Sequence, residues 1–215
     1  MELAQTRLDN NPNDPGALYA LGVSYGLRGN YDFAVRKAYV DALHDLGTAR
    51  RLHNRVTRID PNMVDAQLTQ GLYEYVMGSL SVGWKMVGFL GGLQGNRARG
   101  IAMLNRVAGE GNVNRIDATI FLAAIYRREH RSTDAICVLK PLVSLLPRNY
   151  LLRLDLAEMY GEQGDQSSAM DVLEQAEQLR NEHAPGYETL SAELLRKMRE
   201  RILMNIDKNI ASAGG

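Results

Sequence analysis

The clearest feature of the chain is an apolar pattern that occurs twice in its second half. The two copies cover 122–147 and 156–176, and corresponding positions lie 34 residues apart. The matched residues are Leu122 and Leu156, Ala123 and Ala157, Tyr126 and Tyr160, Ala135 and Ala169, Leu139 and Leu173, and Leu142 and Ala176. Within each copy, apolar residues recur at the spacing of one helix face. The pattern therefore predicts two consecutive pairs of antiparallel helices.

Glycine and proline mark the places where these helices are expected to end. Gly-Asn or Gly-Asp dipeptides occur at Gly29-Asn30, Gly95-Asn96 and Gly164-Asp165. In such a dipeptide, glycine adopts the left-handed conformation that ends one helix, and the Asn or Asp side chain caps the next. Ser132 is the expected cap in a turn that lacks this glycine. Pro61 and Pro147 are expected to separate successive pairs, because proline is disfavoured inside a helix.

The period, the turn chemistry and the small residues at matching positions resemble the tetratricopeptide repeat. Those small residues, which lie where two helices must approach closely, are Ala34, Gly100, Ala135 and Ala169. The resemblance implies an all-α, right-handed solenoid of about four antiparallel helix pairs plus a C-terminal capping helix. The chain departs from the family pattern because the bulky aromatic residue of the first helix is missing from every unit. Its place is taken by Leu18, Gln67, Thr119 and Arg153.

Applied to the whole chain, the repeat pattern predicts a series of segments. Residues 1–11 are the remnant of a preceding helix. Repeat 1, whose second helix is extended, covers 12–62, and repeat 2, which contains the hydrophobic insertion, covers 63–112. Repeat 3 covers 113–147, repeat 4 covers 148–182, and a capping helix covers 185–210. Within the last segment, Leu190, Leu194 and Met198 begin an apolar face that predicts a helix from about Tyr187 to Ile206. Its polar remainder suits the exposed end of a solenoid.

The first two repeats contain extra residues. In the first, 31–59 is predicted to form one long helix, or two helices separated near Gly47. In the second, the apolar insertion 79–95 contains Trp84, Phe89 and Leu90. The insertion is too rich in glycine for a good membrane-spanning helix, so we expect it to pack on the extended helix of repeat 1. A lipid-contacting surface, a hydrophobic partner surface and self-association are the alternatives.

The resemblance also implies where a partner would bind. The concave wall of such an array is formed by the first helix of each pair, and its expected contact residues are Tyr19, Leu68, Leu72, Tyr75, Arg127, Arg128 and Glu158. This groove would be apolar and aromatic at one end, basic in the middle and acidic at the far end. The two arginines offer planar forks of donors for a carboxylate of the partner. The competing interpretation is a solvated helix end, where Arg127 pairs with Glu158 or Glu162.

Composition and charge limit the classes of function that fit. Apolar residues make up 45% of the chain and charged residues 23%, which is typical of a folded protein rather than a disordered one. The formal net charge is zero, which argues against general attraction to nucleic acid or an anionic membrane. Arg50, Arg51, Arg55 and Arg58 form a basic run without interleaved aromatic residues. This run predicts a solvated face rather than specific nucleic-acid binding.

No motif in the sequence predicts catalysis, a metal centre or a bound cofactor. The four histidines are scattered, and neither a phosphate-binding loop nor a nucleophile motif is present. Asp41, His44 and Asp45 are expected to form an ion cluster on the surface. Cys137, the only cysteine, is expected to pack in a buried or half-buried helix position.

The first residues leave the compartment open. Residues 2–11 are polar, so no signal peptide is recognised, yet Ala4 and Leu8 fit the second helix of an earlier repeat. We therefore expect a cytoplasmic protein or, if a leader was removed, one of the bacterial cell envelope or periplasm. The expected function is non-catalytic binding of a protein or peptide in the groove. The alternative is a cell-envelope or lipid-associated protein that acts through the insertion 79–95, without spanning the membrane.

Overall fold

The chain is helical throughout the part that the structure describes. The computed structural model covers residues 1–80 and 95–213, with side chains up to residue 206. Its α-helices are α1 (Glu2–Asn10), α2 (Pro15–Tyr31), α3 (Tyr39–Ile59), α4 (Gln67–Gly78), α5 (Arg97–Glu110), α6 (Arg115–Arg128), α7 (Ser132–Leu145), α8 (Tyr150–Glu162), α9 (Gln166–Asn181) and α10 (Ala192–Ala213). No strand occurs in those residues, so the predicted all-α class is confirmed. They form two compact units, Met1–Ala118 and Thr119–Gly215.

Unit 1 is built around the long hairpin of α2 and α3. The Asp14 carboxylate caps α2 by accepting the backbone N–H of Ala17 at 3.0 Å, and Pro15 opens the helix. The core beside this start contains Leu8, Ala17, Leu18, Leu21, Val56 and Ala66. Helix α4 packs on α3 and on α5. Its contact with α5 is close, because two glycines, Gly71 and Gly100, face each other across it.

The turn between α2 and α3 differs from the predicted one. Helix α2 continues through Gly29-Asn30 to Tyr31, and a π-helical turn over Asp32–Arg36 follows. The chain reverses at Lys37, whose φ of 58° lies in the left-handed region, and α3 then runs without a break at Gly47. Gly29 is buried against α3, where a Cβ atom would lie 3.1 Å from the Ala42 carbonyl oxygen. Its missing side chain therefore serves close helix packing rather than helix termination.

Two polar residues of α3, Asp45 and His53, are buried. Asp45 is 3% exposed and accepts hydrogen bonds from the Arg28 guanidinium, which holds the pKa of this carboxyl below its usual value. The predicted surface cluster of Asp41, His44 and Asp45 is therefore wrong for Asp45. His53 is also 3% exposed; its ring stacks on Tyr19 at 5.4 Å. The His53 ring fits at this place because residue 22 is glycine. A Cβ atom on Gly22 would lie only 2.5 Å from the His53 ring.

The buried His53 makes the stability of unit 1 depend on pH. Burial lowers the pKa of His53 from 6.5, so below that pH the unfolded chain binds a proton that the folded chain excludes. The free energy of unfolding is therefore expected to fall as the pH drops below 6.5, by up to about 1.4 kcal/mol per pH unit. Urea denaturation followed by circular dichroism at a series of pH values measures this slope.

Two variants test whether His53 causes that slope. His53→Gln is expected to flatten it, because glutamine does not titrate. His183→Gln, at an exposed position, is the control and should leave it unchanged. An equal slope in wild type and His53→Gln would contradict the assignment.

Unit 2 buries the same positions in both copies of the repeated pattern. Helix α8 packs on α7, α9 and α10. All twelve matched residues from Leu122 to Ala176 are at most 9% exposed, with the second tyrosine, Tyr160, at that upper value. The turn at Gly164-Asp165 forms as predicted: Gly164 has a φ of 81°, and the Asp165 carboxylate accepts the backbone N–H of Ser168 at 3.0 Å.

Three local predictions for unit 2 are wrong. Ser132 does not cap α7 but begins it, and His130 takes the left-handed conformation instead, with a φ of 54°. Cys137 is exposed, because the face of α7 that packs inward carries Ala135, Ile136 and Leu139. The last helix begins at Ala192 rather than near Tyr187, and Tyr187 is buried in the segment before it. None of the described helices is both long and apolar enough to cross a membrane.

Candidate binding cleft

The second unit contains an open cleft between the end of α6, the exposed face of α8 and the first half of α10. Its volume is about 700 Å³. The lining residues are Ala124, Arg127, Arg128, His130, Leu151, Leu154, Asp155, Glu158, Glu162, Leu194, Met198 and Arg201. Because all of them belong to unit 2, the cleft is defined by the packing of this unit alone.

Helix periodicity brings these side chains together. Along α8, Leu151, Asp155, Glu158 and Glu162 recur at intervals of three or four residues, so they form one stripe facing the cleft. Along α10, Leu194, Met198 and Arg201 repeat this spacing. The apolar members form a floor, in which Leu154 and Met198 are buried. The charged members stand around that floor.

Two of the three carboxylates in the cleft pair with an arginine. Asp155 accepts a hydrogen bond from the Arg127 guanidinium, and Glu158 pairs with Arg201 at 3.0 Å. Glu162 lies 3.8 Å from the His130 ring nitrogen Nδ1. Burial raises the pKa of Asp155, and the charge of Arg127 opposes this effect. The partner of Arg127 is therefore Asp155. The competing interpretation expected Glu158 or Glu162 in this role.

Arg128 is the arginine of the cleft that takes no part in these ion pairs. Its side chain is exposed, and it forms no ion pair with any residue in the described part of the chain. The cleft thus combines an apolar floor, two carboxylates paired with arginines, a third carboxylate beside the His130 ring, and one guanidinium with its donors available. An arginine in such a position is suited to a bidentate hydrogen bond with a carboxylate.

The remaining groove residues predicted from the sequence lie in unit 1, mostly in packing contacts. The Tyr19 hydroxyl accepts a hydrogen bond from the Asn114 side chain at 3.0 Å. Leu68 packs on a buried cluster that contains Val64 and Val107, and Leu72 is half-buried. Tyr75 is only 4% exposed, so its side chain presents almost no surface to a partner.

The residues predicted in the hydrophobic insertion, Trp84, Phe89 and Leu90, lie outside the described residues. Lipid contact, partner contact or self-association through them stays a prediction. In the described residues, no group of three or more His, Cys, Asp or Glu side chains is placed to hold a metal ion.

Sequence reasoning missed several residues of the cleft. Asp155 carried a usable signal, because it lies in the same helical stripe as Glu158 and could have been read as the neighbour of Arg127. Nothing in the sequence indicated that Met198 and Arg201 line the cleft, since their place in it depends on how α10 packs against α8.

Comparisons with known proteins leave the family of this chain open. No protein-family model matches the sequence. No curated protein matches it either.

Proposed function

We propose that this chain is a non-catalytic scaffold that binds a segment of a protein or peptide in the cleft of unit 2. In this proposal the helix pairs belong to a right-handed, tetratricopeptide-like solenoid of about four antiparallel pairs, and α10 is its capping helix. The repeated burial of matched residues in unit 2 supports the repeat, because each copy places the same positions in its core.

The chemistry of the cleft indicates what kind of segment it would accept. Its volume of about 700 Å³ suits one or two side chains of a peptide rather than a folded surface. Leu154, Met198 and Leu194 offer an apolar floor, so an apolar residue of the partner is the natural anchor. Arg128, the one cleft cation without an ion pair in the described residues, carries the proposal, since it favours a carboxylate next to that anchor.

Selection from a library of random peptides tests this proposal directly. We expect the full chain to select peptides in which an apolar residue lies beside an Asp, a Glu or the terminal carboxylate. Arg128→Glu is expected to weaken binding of a selected peptide at least about tenfold, because a charge-assisted hydrogen bond is lost and a like charge replaces it. Fluorescence anisotropy of the labelled peptide measures the change.

A matched control separates the cleft from general electrostatics. Arg148 is an exposed arginine of unit 2 outside the cleft, so Arg148→Glu changes the net charge equally. It should leave the affinity within about twofold of wild type, as expected for a remote surface substitution. Failure to select any peptide, or equal weakening by both substitutions, would rule out the cleft as the binding site.

A further inference from the structure

The turn between α2 and α3 carries a concentrated group of exposed apolar side chains. We call it the apolar tip; its members are Tyr31, Phe33, Val35, Tyr39, Val40 and Leu43. Each is more than half exposed, and Val40 reaches 81%. Isolated apolar residues on a surface are ordinary, but a contiguous group of this kind marks a contact surface. The Phe33 and Tyr39 rings make this group continuous across the turn, because they touch edge to face at 5.5 Å.

The apolar side chains surround the tip rather than covering one side of it. Successive residues of a helix point about 100° apart, so a residue two positions from a helix contact points away from it. Tyr31 is two positions from Gly29, which faces α3, and Val40 is two positions from Ala42, which faces α2. These two side chains therefore lie on the outer sides of their respective helices. A flat protein partner would cover one such side, whereas a lipid interface would enclose both.

The polar groups of the tip are mostly satisfied internally. Asp32 is buried and pairs with Arg36 at 2.9 Å, and Asp45, nearly two turns into α3, pairs with Arg28. The Lys37 ammonium donates to the Ala34 carbonyl oxygen at 2.7 Å. Asp41 is exposed. The two buried carboxylates are therefore neutralised by ion pairs, and the charges that the tip would carry to an interface are those of the exposed Asp41 and Lys37.

The outer face of α3 becomes basic beyond the tip. Arg51, Arg55 and Arg58 are exposed at intervals of three or four residues, on the same side of the helix as Val40. None of the three pairs with a carboxylate of the described residues; Arg55 donates to the Asn13 side chain at 2.8 Å. At the rise of a helix, Arg51 lies about 16 Å along α3 from Val40. The zero net charge of the chain does not cancel this face, since salt screens charges over about 8–10 Å.

We propose that the apolar tip inserts into the interface of a lipid bilayer that contains anionic lipids. The tip occupies the boundary of headgroups and acyl chains, where Tyr side chains are favoured because they are both apolar and polar. An insertion of about 5–10 Å leaves the basic face of α3 above the headgroups. Arg51, the nearest of the three arginines to the tip, then lies close enough to the negative surface to be attracted by it, and Arg55 and Arg58 follow farther away on the same side of α3. The surface is distinct from the peptide cleft, which belongs to unit 2.

Vesicle flotation of the full chain tests this proposal. We expect the wild type to float with vesicles of phosphatidylcholine and phosphatidylglycerol, and more weakly with phosphatidylcholine alone. Val40→Asp is expected to lower the partition coefficient at least about tenfold, because a charge is placed in the inserted surface. Val113→Asp is the matched control, since Val113 is 73% exposed and lies beside Asp65, beyond the opposite end of α3 from the tip, and this variant should bind like wild type. The double variant with Arg51→Glu and Arg55→Glu should lose the preference for phosphatidylglycerol.

Other occupants of the tip would give different results. Wild type that stays unbound with both vesicle types overturns the proposal, and so does equal loss of binding in Val113→Asp and Val40→Asp. The wild type could instead fail to bind vesicles and form a concentration-dependent dimer in sedimentation. If Val40→Asp dissociates that dimer, the tip contacts a second copy of the chain and not a lipid bilayer. If Trp84→Asp abolishes vesicle binding and Val40→Asp leaves it intact, the insertion contacts the lipid. This result overturns the proposed role of the tip.

Discussion

Replacement of Gly100 by alanine is expected to lower the free energy of unfolding by about 3 kcal/mol, because the added methyl group has no room between α4 and α5. A Cβ atom at Gly100 would lie 2.6 Å from both the Gly71 carbonyl oxygen and the Tyr75 amide nitrogen. These are backbone atoms of the facing helix, so no side-chain rotation relieves the clash. The two helices must separate, and the contacts around them, including buried Leu104, must loosen.

Gly109→Ala in the same helix is the control for this substitution. A Cβ atom at Gly109 would meet nothing within 4 Å. Alanine is therefore expected to stabilise the chain slightly, by up to about 0.5–1 kcal/mol, since it restricts the unfolded state more than glycine does. Urea denaturation measures both changes. Similar stability of Gly100→Ala and wild type would contradict the close approach of α4 and α5.

The periodic part of the fold could be predicted from the sequence because it depends on local spacing. Side chains that recur every three or four residues must share a helix face, and residues such as Leu139 and Leu173 are buried for that reason. The glycines could not be interpreted in the same way. Gly164 ends a helix with a positive φ, whereas Gly29, also followed by a polar residue, lies inside α2 and makes room for α3. Only the tertiary packing distinguishes these two uses.

The same limit applies to the candidate site. Arg127, Arg128 and Glu158 meet in one cleft because their helices are neighbours in the repeated pattern. Tyr75 was assigned to the groove by equivalent spacing, yet it is buried, because the approach of Gly100 brings α5 against it. Arg201 was absent from the predicted site, since the rotation of α10 is decided by contacts distant in sequence. Helix spacing therefore predicts which residues share a face but not which faces remain open.

Tyr187→Ala is expected to lower the free energy of unfolding by about 4 kcal/mol, because it removes a buried aromatic ring from unit 2. Tyr187 is 2% exposed, and its ring centroid lies 6.0 Å from that of Tyr150. The hydroxyl accepts from the Arg153 Nε at 2.7 Å and donates to the Pro147 carbonyl oxygen at 3.3 Å. The substitution therefore leaves a cavity and two unpaired polar groups. Urea denaturation gives the size of the loss.

Two further variants separate the ring of Tyr187 from its hydroxyl. Tyr187→Phe keeps the ring and should cost only about 1–2 kcal/mol, whereas Tyr31→Ala, at an exposed tyrosine, should cost less than about 0.5 kcal/mol. Because Tyr187 anchors the segment that leads into α10, which supplies Met198 and Arg201 to the cleft, Tyr187→Ala should also weaken binding of a selected peptide. Equal stability of Tyr187→Ala and Tyr31→Ala would show that the segment before α10 is not anchored by this ring, and the cleft would then need another support.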